Sequence, residues 1–148
     1  MNIQLSKHFS LSELYITDSH LPNIPNEKQI TSIKTLSTSL LQPARDLLGS
    51  PIHINSGFRS LAVNREKGGS IKPLSQHCKG EAADLEAFDN AALFELIRQH
   101  FDFDQLIWEG GDDHQPAWVH VSYKSSGNRK EVLIMKMVGG KKSYTNFN

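Results

Sequence analysis

Between Glu27 and Leu48 the apolar positions Ile30, Ile33, Leu36, Leu40, Leu41, Ala44, Leu47 and Leu48 recur at a helical interval. That spacing predicts a long amphipathic helix with one core-facing stripe. Pro43 removes a backbone donor inside the pattern, so the helix is expected to kink or restart there, and Gly49 suits its end. A shorter helix is predicted upstream, where Ser10 can cap, Glu13 sits at the capping-box position and Phe9 can staple onto Leu14. Residues 18–26, DSHLPNIPN, join the two as an irregular connection.

Beyond Gly49 the period changes. Residues 51–56, 103–109, 117–123 and 131–138 read as strands. Asp89 caps a second amphipathic helix, AALFELIRQHF, with Phe88 and Leu93 at staple spacing. The 110–116 connection, GGDDHQP, is too polar and Gly-rich to be buried, and the GGKKSYTNFN tail is expected to fray. Helices first, then mostly strands with one helix inserted, predict an α+β fold: a small antiparallel sheet with helices packed on one side.

A chain of 148 residues, 38% hydrophobic, is long enough for one core, so a single domain over 1–148 is expected. Sixteen basic and sixteen acidic side chains cancel, which argues against nucleic acid or an anionic membrane as partner. No apolar run follows the first lysine, and no window approaches the ~20 apolar residues that span a bilayer. The expectation is a soluble monomer with no export signal, cytoplasmic as synthesised. Cys78 is the only cysteine, so any metal must be held by histidine and carboxylate.

The stretch SQHCKGEAADL, residues 75–85, carries the first candidate chemistry. By itself His77 followed by Asp84 fits a turn histidine and a strand-edge carboxylate as readily as a metal site. The strand periods add to it. Ala82 and Asp84 share one face of their strand, and Trp118, His120 and Ser122 share one face of theirs. If these strands are neighbours, Asp84 and His120 lie side by side. Gly80 lets His77 turn back to the same place, and small Ala82 leaves room beside it. Two imidazoles and one carboxylate suit a single Zn²⁺, which polarises carbonyls and acidifies water, the chemistry of a hydrolase. Glu109, on the face of Gln105 and Ile107, is the candidate general base, and Arg59 a candidate oxyanion or carboxylate partner. Trp118 can wall the cleft, Trp108 reads as core, and Cys78 as an idle thiol. His53 and His114 are candidates for contact with the ligands.

In order from Phe9 to Tyr123, FSLSEL, LLQPARDLLG, PIHINSGFRS, Asn64, GGS at 68–70, SQHCKGEAADL and WVHVSY together resemble the zinc D-alanyl-D-alanine carboxypeptidase family. That family shares its metal site with lysostaphin-type peptidases and Hedgehog domains. The resemblance implies zinc ligands at His77, Asp84 and His120, a substrate-binding and transition-state-stabilising role for Arg59, and Ser75 in the substrate cleft. It also implies hydrolysis of peptide bonds in peptidoglycan stem peptides, by a bacteriophage lysin or virion-associated wall hydrolase. One departure stands out. Several relatives carry their catalytic carboxylate three residues before the last zinc histidine, where this chain has Ala117, and the residue two before that histidine, His in some relatives, is Trp118. The base must come from elsewhere: Glu109, with Asp112, Asp113 and His114 as rivals. The alternative is a non-catalytic, zinc-containing module that binds cell wall or serves as a virion component.

Overall fold

The computed structural model describes residues 2–148. The long helical pattern forms α1 (Glu27–Leu36) and α2 (Gln42–Leu48), joined without a break by one widened turn, Ser37–Leu41. In that turn the Gln42 N–H reaches back five residues to the Ser37 carbonyl. Widening the helix just before Pro43 absorbs both its missing N–H and its ring, so the helix restarts as expected with Pro43 in its first turn. Gly49 closes α2 in the left-handed conformation at φ 74°. At the other end Asn26 and Gln29 form a capping box, each side chain accepting from the other's backbone N–H at 2.8 Å.

The remaining elements are β1 (His53–Ser56), α3 (Leu61–Glu66), β2 (Ala82–Glu86), α4 (Asn90–His100), β3 (Gln105–Glu109), β4 (Trp118–Ser122), β5 (Glu131–Val138) and β6 (Lys141–Asn146). The fold is α+β. Its sheet has six strands in the order β1-β2-β4-β3-β5-β6. It is larger than expected and mixed: β3 and β5 run parallel, the other neighbours antiparallel. One face, with Ala83, Leu85, Leu106, Val119 and Val121, packs on Leu93, Phe94 and Ile97 of α4 and on Ile33, Leu36, Leu40 and Leu41 of the long helix. Among the described residues no helix is long and apolar enough to cross a membrane.

Two expectations are corrected. The tail does not fray: residues 141–146 pair along β5 from Val138↔Lys141 to Leu133↔Asn146. Gly139 and Gly140, at φ 57° and 77°, supply the two positive φ values that a tight hairpin turn demands. Phe147 then anchors the end against Phe94, with ring centroids 5.0 Å apart. The second correction concerns α4. Asp89 does cap it, accepting from Ala92 N–H at 3.0 Å, but Phe88 is fully exposed and makes no staple with buried Leu93. At the first helical turn, Ser12–Tyr15, half the expected box is present: Glu13 accepts from Ser10 N–H at 2.9 Å.

The parallel pair requires the 123–130 connection to cross the start of β3, and Asp104 holds that crossing. It is 1% exposed and accepts from Arg129 backbone N–H, Nε and Nη2 at 3.0, 3.1 and 2.8 Å. Burial alone would raise this carboxyl, but the Arg129 hydrogen bonds, with Lys124 nearby, hold it below its ordinary value. Its contribution to stability is therefore complete above about pH 4 and is lost as the pH falls through the lower folded value. Asp104→Ala is expected to reduce unfolding free energy at pH 7 by about 3 kcal/mol in urea titrations, with a gap that narrows in acid.

Candidate metal centre

Asp84 on β2 and His120 on β4 are directly opposed in the antiparallel register, and so extend from the face of the sheet turned away from the helices. His120 Nδ1 lies 3.0 Å from Asp84 Oδ1. His77 arrives from a tight turn, Gln76–Lys79, with Nε2 3.5 Å from the same oxygen. The three donors all lie within 4.8 Å of one another, as the sequence predicts.

The turn that delivers His77 is built by its neighbours. Ser75 caps it, its hydroxyl accepting from His77 N–H at 3.3 Å, and Gly80 ends it at φ 74°. A Cβ at Gly80 would stand 2.5 Å from the Gln29 carbonyl, and Gln29 Nε2 donates to Cys78 O at 3.1 Å, so α1 seats directly on the turn. The ring orientation comes from a residue the motifs do not mark. His77 Nδ1–H donates to Gly57 O at 2.7 Å, which leaves Nε2 for a metal. Gly57 is itself fixed by close approach to the N-terminal turn, where a Cβ would meet Leu14 O at 2.4 Å. The only sequence signal was the glycine in SGFRS.

Arg59 adds a second function to its position. Its Nη2 donates to Asp84 Oδ2 at 3.3 Å and its Nε to Ser56 Oγ at 3.1 Å, which fixes the ligand carboxylate from behind. A bulge at Asn55 makes this possible. Ile54 opposes core-facing Leu85, and the register then shifts so that Ser56 opposes Asp84 and turns to the metal face. Burial would raise the Asp84 carboxyl, but His77 and His120 outweigh it and hold Asp84 far below the ordinary aspartate range.

Glu109 ends β3 opposite Trp118, one step along the sheet from His120 and on the same face. It is 6% exposed, and its Oε2 is buried with no hydrogen-bond partner among the described residues. Burial pushes this carboxyl above its ordinary value and Asp84 adds to the rise, while His120, Lys142 and Arg59 oppose it. The rival bases are placed differently. Asp112 accepts from His114 and Gln115 N–H in the exposed loop, and Asp113 faces Lys136 at 3.8 Å. His53 and His114 are exposed. Trp108 packs on Phe94 from the helical side, its Nε1–H donating to Asp112 O at 3.0 Å. Buried Cys78 has its thiol pushed up by burial. A groove of about 820 Å³ lined by Glu95, Trp108, Asp112, Ile134 and Phe147 lies on the helical side and includes none of the donors.

Two imidazole nitrogens and a carboxylate oxygen fit Zn²⁺, and Glu109, whose Oε2 has no hydrogen-bond partner among the described residues, lies on the same face of the sheet. Residues 7–122 match the peptidase M15 family, and the chain belongs to that family. No curated protein matches it. Family and donor cluster together define a zinc-dependent peptidase in general terms.

Two outcomes are expected. Gly57→Ala, by displacing the carbonyl that orients His77, weakens zinc binding about tenfold or more in chelator competition. Glu109 has a folded-state pKa above its unfolded one, so its protonated form stabilises the fold at low pH and that gain is lost as the pH rises. Metal-free Glu109→Gln should therefore be more stable than the parent at pH 7 by about 1 kcal/mol, with little difference at pH 3.

Proposed function

We propose that the protein hydrolyses amide bonds in the stem peptides of bacterial peptidoglycan, as a carboxypeptidase or endopeptidase of the D-Ala-D-Ala type. The observation that carries this is the juxtaposition of the His77, Asp84 and His120 donors with the buried Glu109 carboxylate on one face of the sheet. The substrate class follows from the likeness of the whole motif series to the zinc D-alanyl-D-alanine carboxypeptidases. The same reading makes the protein a wall hydrolase of phage type, carried in a virion or released at lysis, acting as a monomer on peptide and not on nucleic acid.

Zn²⁺ held by the three donors would polarise the scissile carbonyl and acidify water. The chain's own residues do the rest. Glu109 takes the proton of the attacking water at a carboxylate oxygen and passes it to the nitrogen of the departing amine, so the C–N bond breaks as an amine leaves. Its burial raises its proton affinity toward what that relay needs. Arg59 orients Asp84 through its Nη2–H, and its guanidinium is a group on this face that could hold a substrate oxygen. Trp118, beside Glu109, walls the cleft, and Ser75 lies at the turn that carries His77.

Ala117 favours a second reading, in which the chain binds wall peptides through its zinc site without cutting them. Mass spectrometry of peptidoglycan fragments incubated with zinc-loaded protein separates the two. The expected result is new fragments that disappear with Glu109→Gln, a loss of about 10²–10⁴ in rate, and that are absent with His120→Ala, which also loses its zinc. Full activity in His120→Ala would sink the assignment. Bound zinc and bound fragments with no cleavage between pH 5 and 9 would establish the binding module instead.

A further inference from the structure

The metal face does not end at Glu109. Following the register outward, Trp118, Glu109, Met135 and Tyr144 stand in one row across β4, β3, β5 and β6. Residues directly opposed across strands share a face, so Tyr144 belongs to the same surface as the zinc donors. Lys142, two residues before it, shares that face and opposes Met137. Tyr144 lies two strand spacings from Glu109, about 10 Å between backbones, a gap that a phenol can lean across.

Three observations place these side chains at the cleft. Met135, between Glu109 and Tyr144 in the row, is only 3% exposed, while Tyr144 is 48% exposed, so the row descends to a floor and rises again at the phenol. The Tyr144 phenol has its proton held more tightly through burial and through the charges of Glu109 and Asp84, and Lys142 acts on Glu109 in the opposite sense. The hairpin that carries both is anchored beyond them by Phe147, whose N–H donates to Val132 O at 3.0 Å and whose ring meets Phe94 and Trp108.

We propose that the β5–β6 hairpin is the far wall of the substrate cleft, where Lys142 and Tyr144 bind a carboxylate of the peptide on one side of the scissile bond. This rests on the peptidase reading above. Arg59 sits at the other end of the face, next to β1 and β2. From β2 to β6 the sheet spans four spacings, about 19 Å, enough for roughly five residues of extended chain. Allowing for the reach of the side chains, the recognised carboxylate lies about three residues from the cleaved bond. Lys142 supplies a point charge and Tyr144 a directional O–H donor, the pair of groups that a carboxylate accepts from. The hairpin lies outside the matched residues 7–122.

The test is calorimetric and does not depend on turnover. Zinc-loaded Glu109→Gln protein is titrated with a stem peptide whose carboxylate about three residues from the scissile bond is free, and with the same peptide amidated at that carboxylate. Adding Lys142→Gln or Tyr144→Phe is expected to weaken binding of the free-carboxylate peptide about tenfold, and amidation to weaken the unmodified hairpin equally. Neither substitution should alter binding of the amidated peptide. If both peptides bind and the two substitutions change neither affinity, or change both alike, the hairpin proposal is overturned and the peptidase reading stands. If neither peptide binds at all, the peptidoglycan reading itself fails and takes the proposal with it.

Discussion

Asp84 faces His120 because β2 and β4 pair antiparallel in one register. Side chains alternate with period two, so a slip of one residue would send one of these groups into the core and bring an apolar neighbour to the metal face. The core enforces the register. Ala83, Leu85, Val119 and Val121 are fully buried on the opposite side, and a slip would exchange them for Asp84 and His120 beneath α4. The hydrophobic packing that stabilises the sheet is thus the same constraint that assembles the donors.

The third donor depends on a longer chain of contacts. His77 is not on a strand, and its ring is set by the Gly57 carbonyl, which is set in turn by the N-terminal turn packed against it. Gly80 and Gln29 bind the other side of the same turn to α1. The helical half therefore acts as scaffold for a ligand that the sheet cannot provide. Beside this frame Glu109 lowers stability: its Oε2 is buried with no hydrogen-bond partner among the described residues, and the same burial raises its proton affinity.

Much of this was legible in the amino-acid order. Strand parity set Asp84 and His120 each opposite the apolar side of its own strand, so that they meet once β2 and β4 pair, and the helical spacing from Ile30 to Leu48 predicted the long helix together with its adjustment at Pro43. What escaped had physical reasons. The hairpin after Val138 is polar on both faces, so KKSYTN shows no alternation and reads as tail, although Gly139-Gly140 is the turn signal. The bulge at Asn55 inserts a residue that no period announces. The parallel β3–β5 pair depends on Asp104, whose importance lies in a partner 25 positions away. Phe88 satisfied the staple spacing, yet the chain enters α4 at an angle that leaves the ring in solvent. Gly57 contributes through its backbone carbonyl, which a reading of side chains does not reveal.

The most direct measurement is zinc-edge X-ray absorption of the protein loaded with one equivalent of metal. The account predicts a first shell of nitrogen and oxygen at about 2.0–2.1 Å with the outer-shell scattering of two imidazoles, lost in part when His77 or His120 is replaced by alanine. A sulfur shell near 2.3 Å, which would bring Cys78 into the site, or a spectrum unchanged by either substitution, would contradict it.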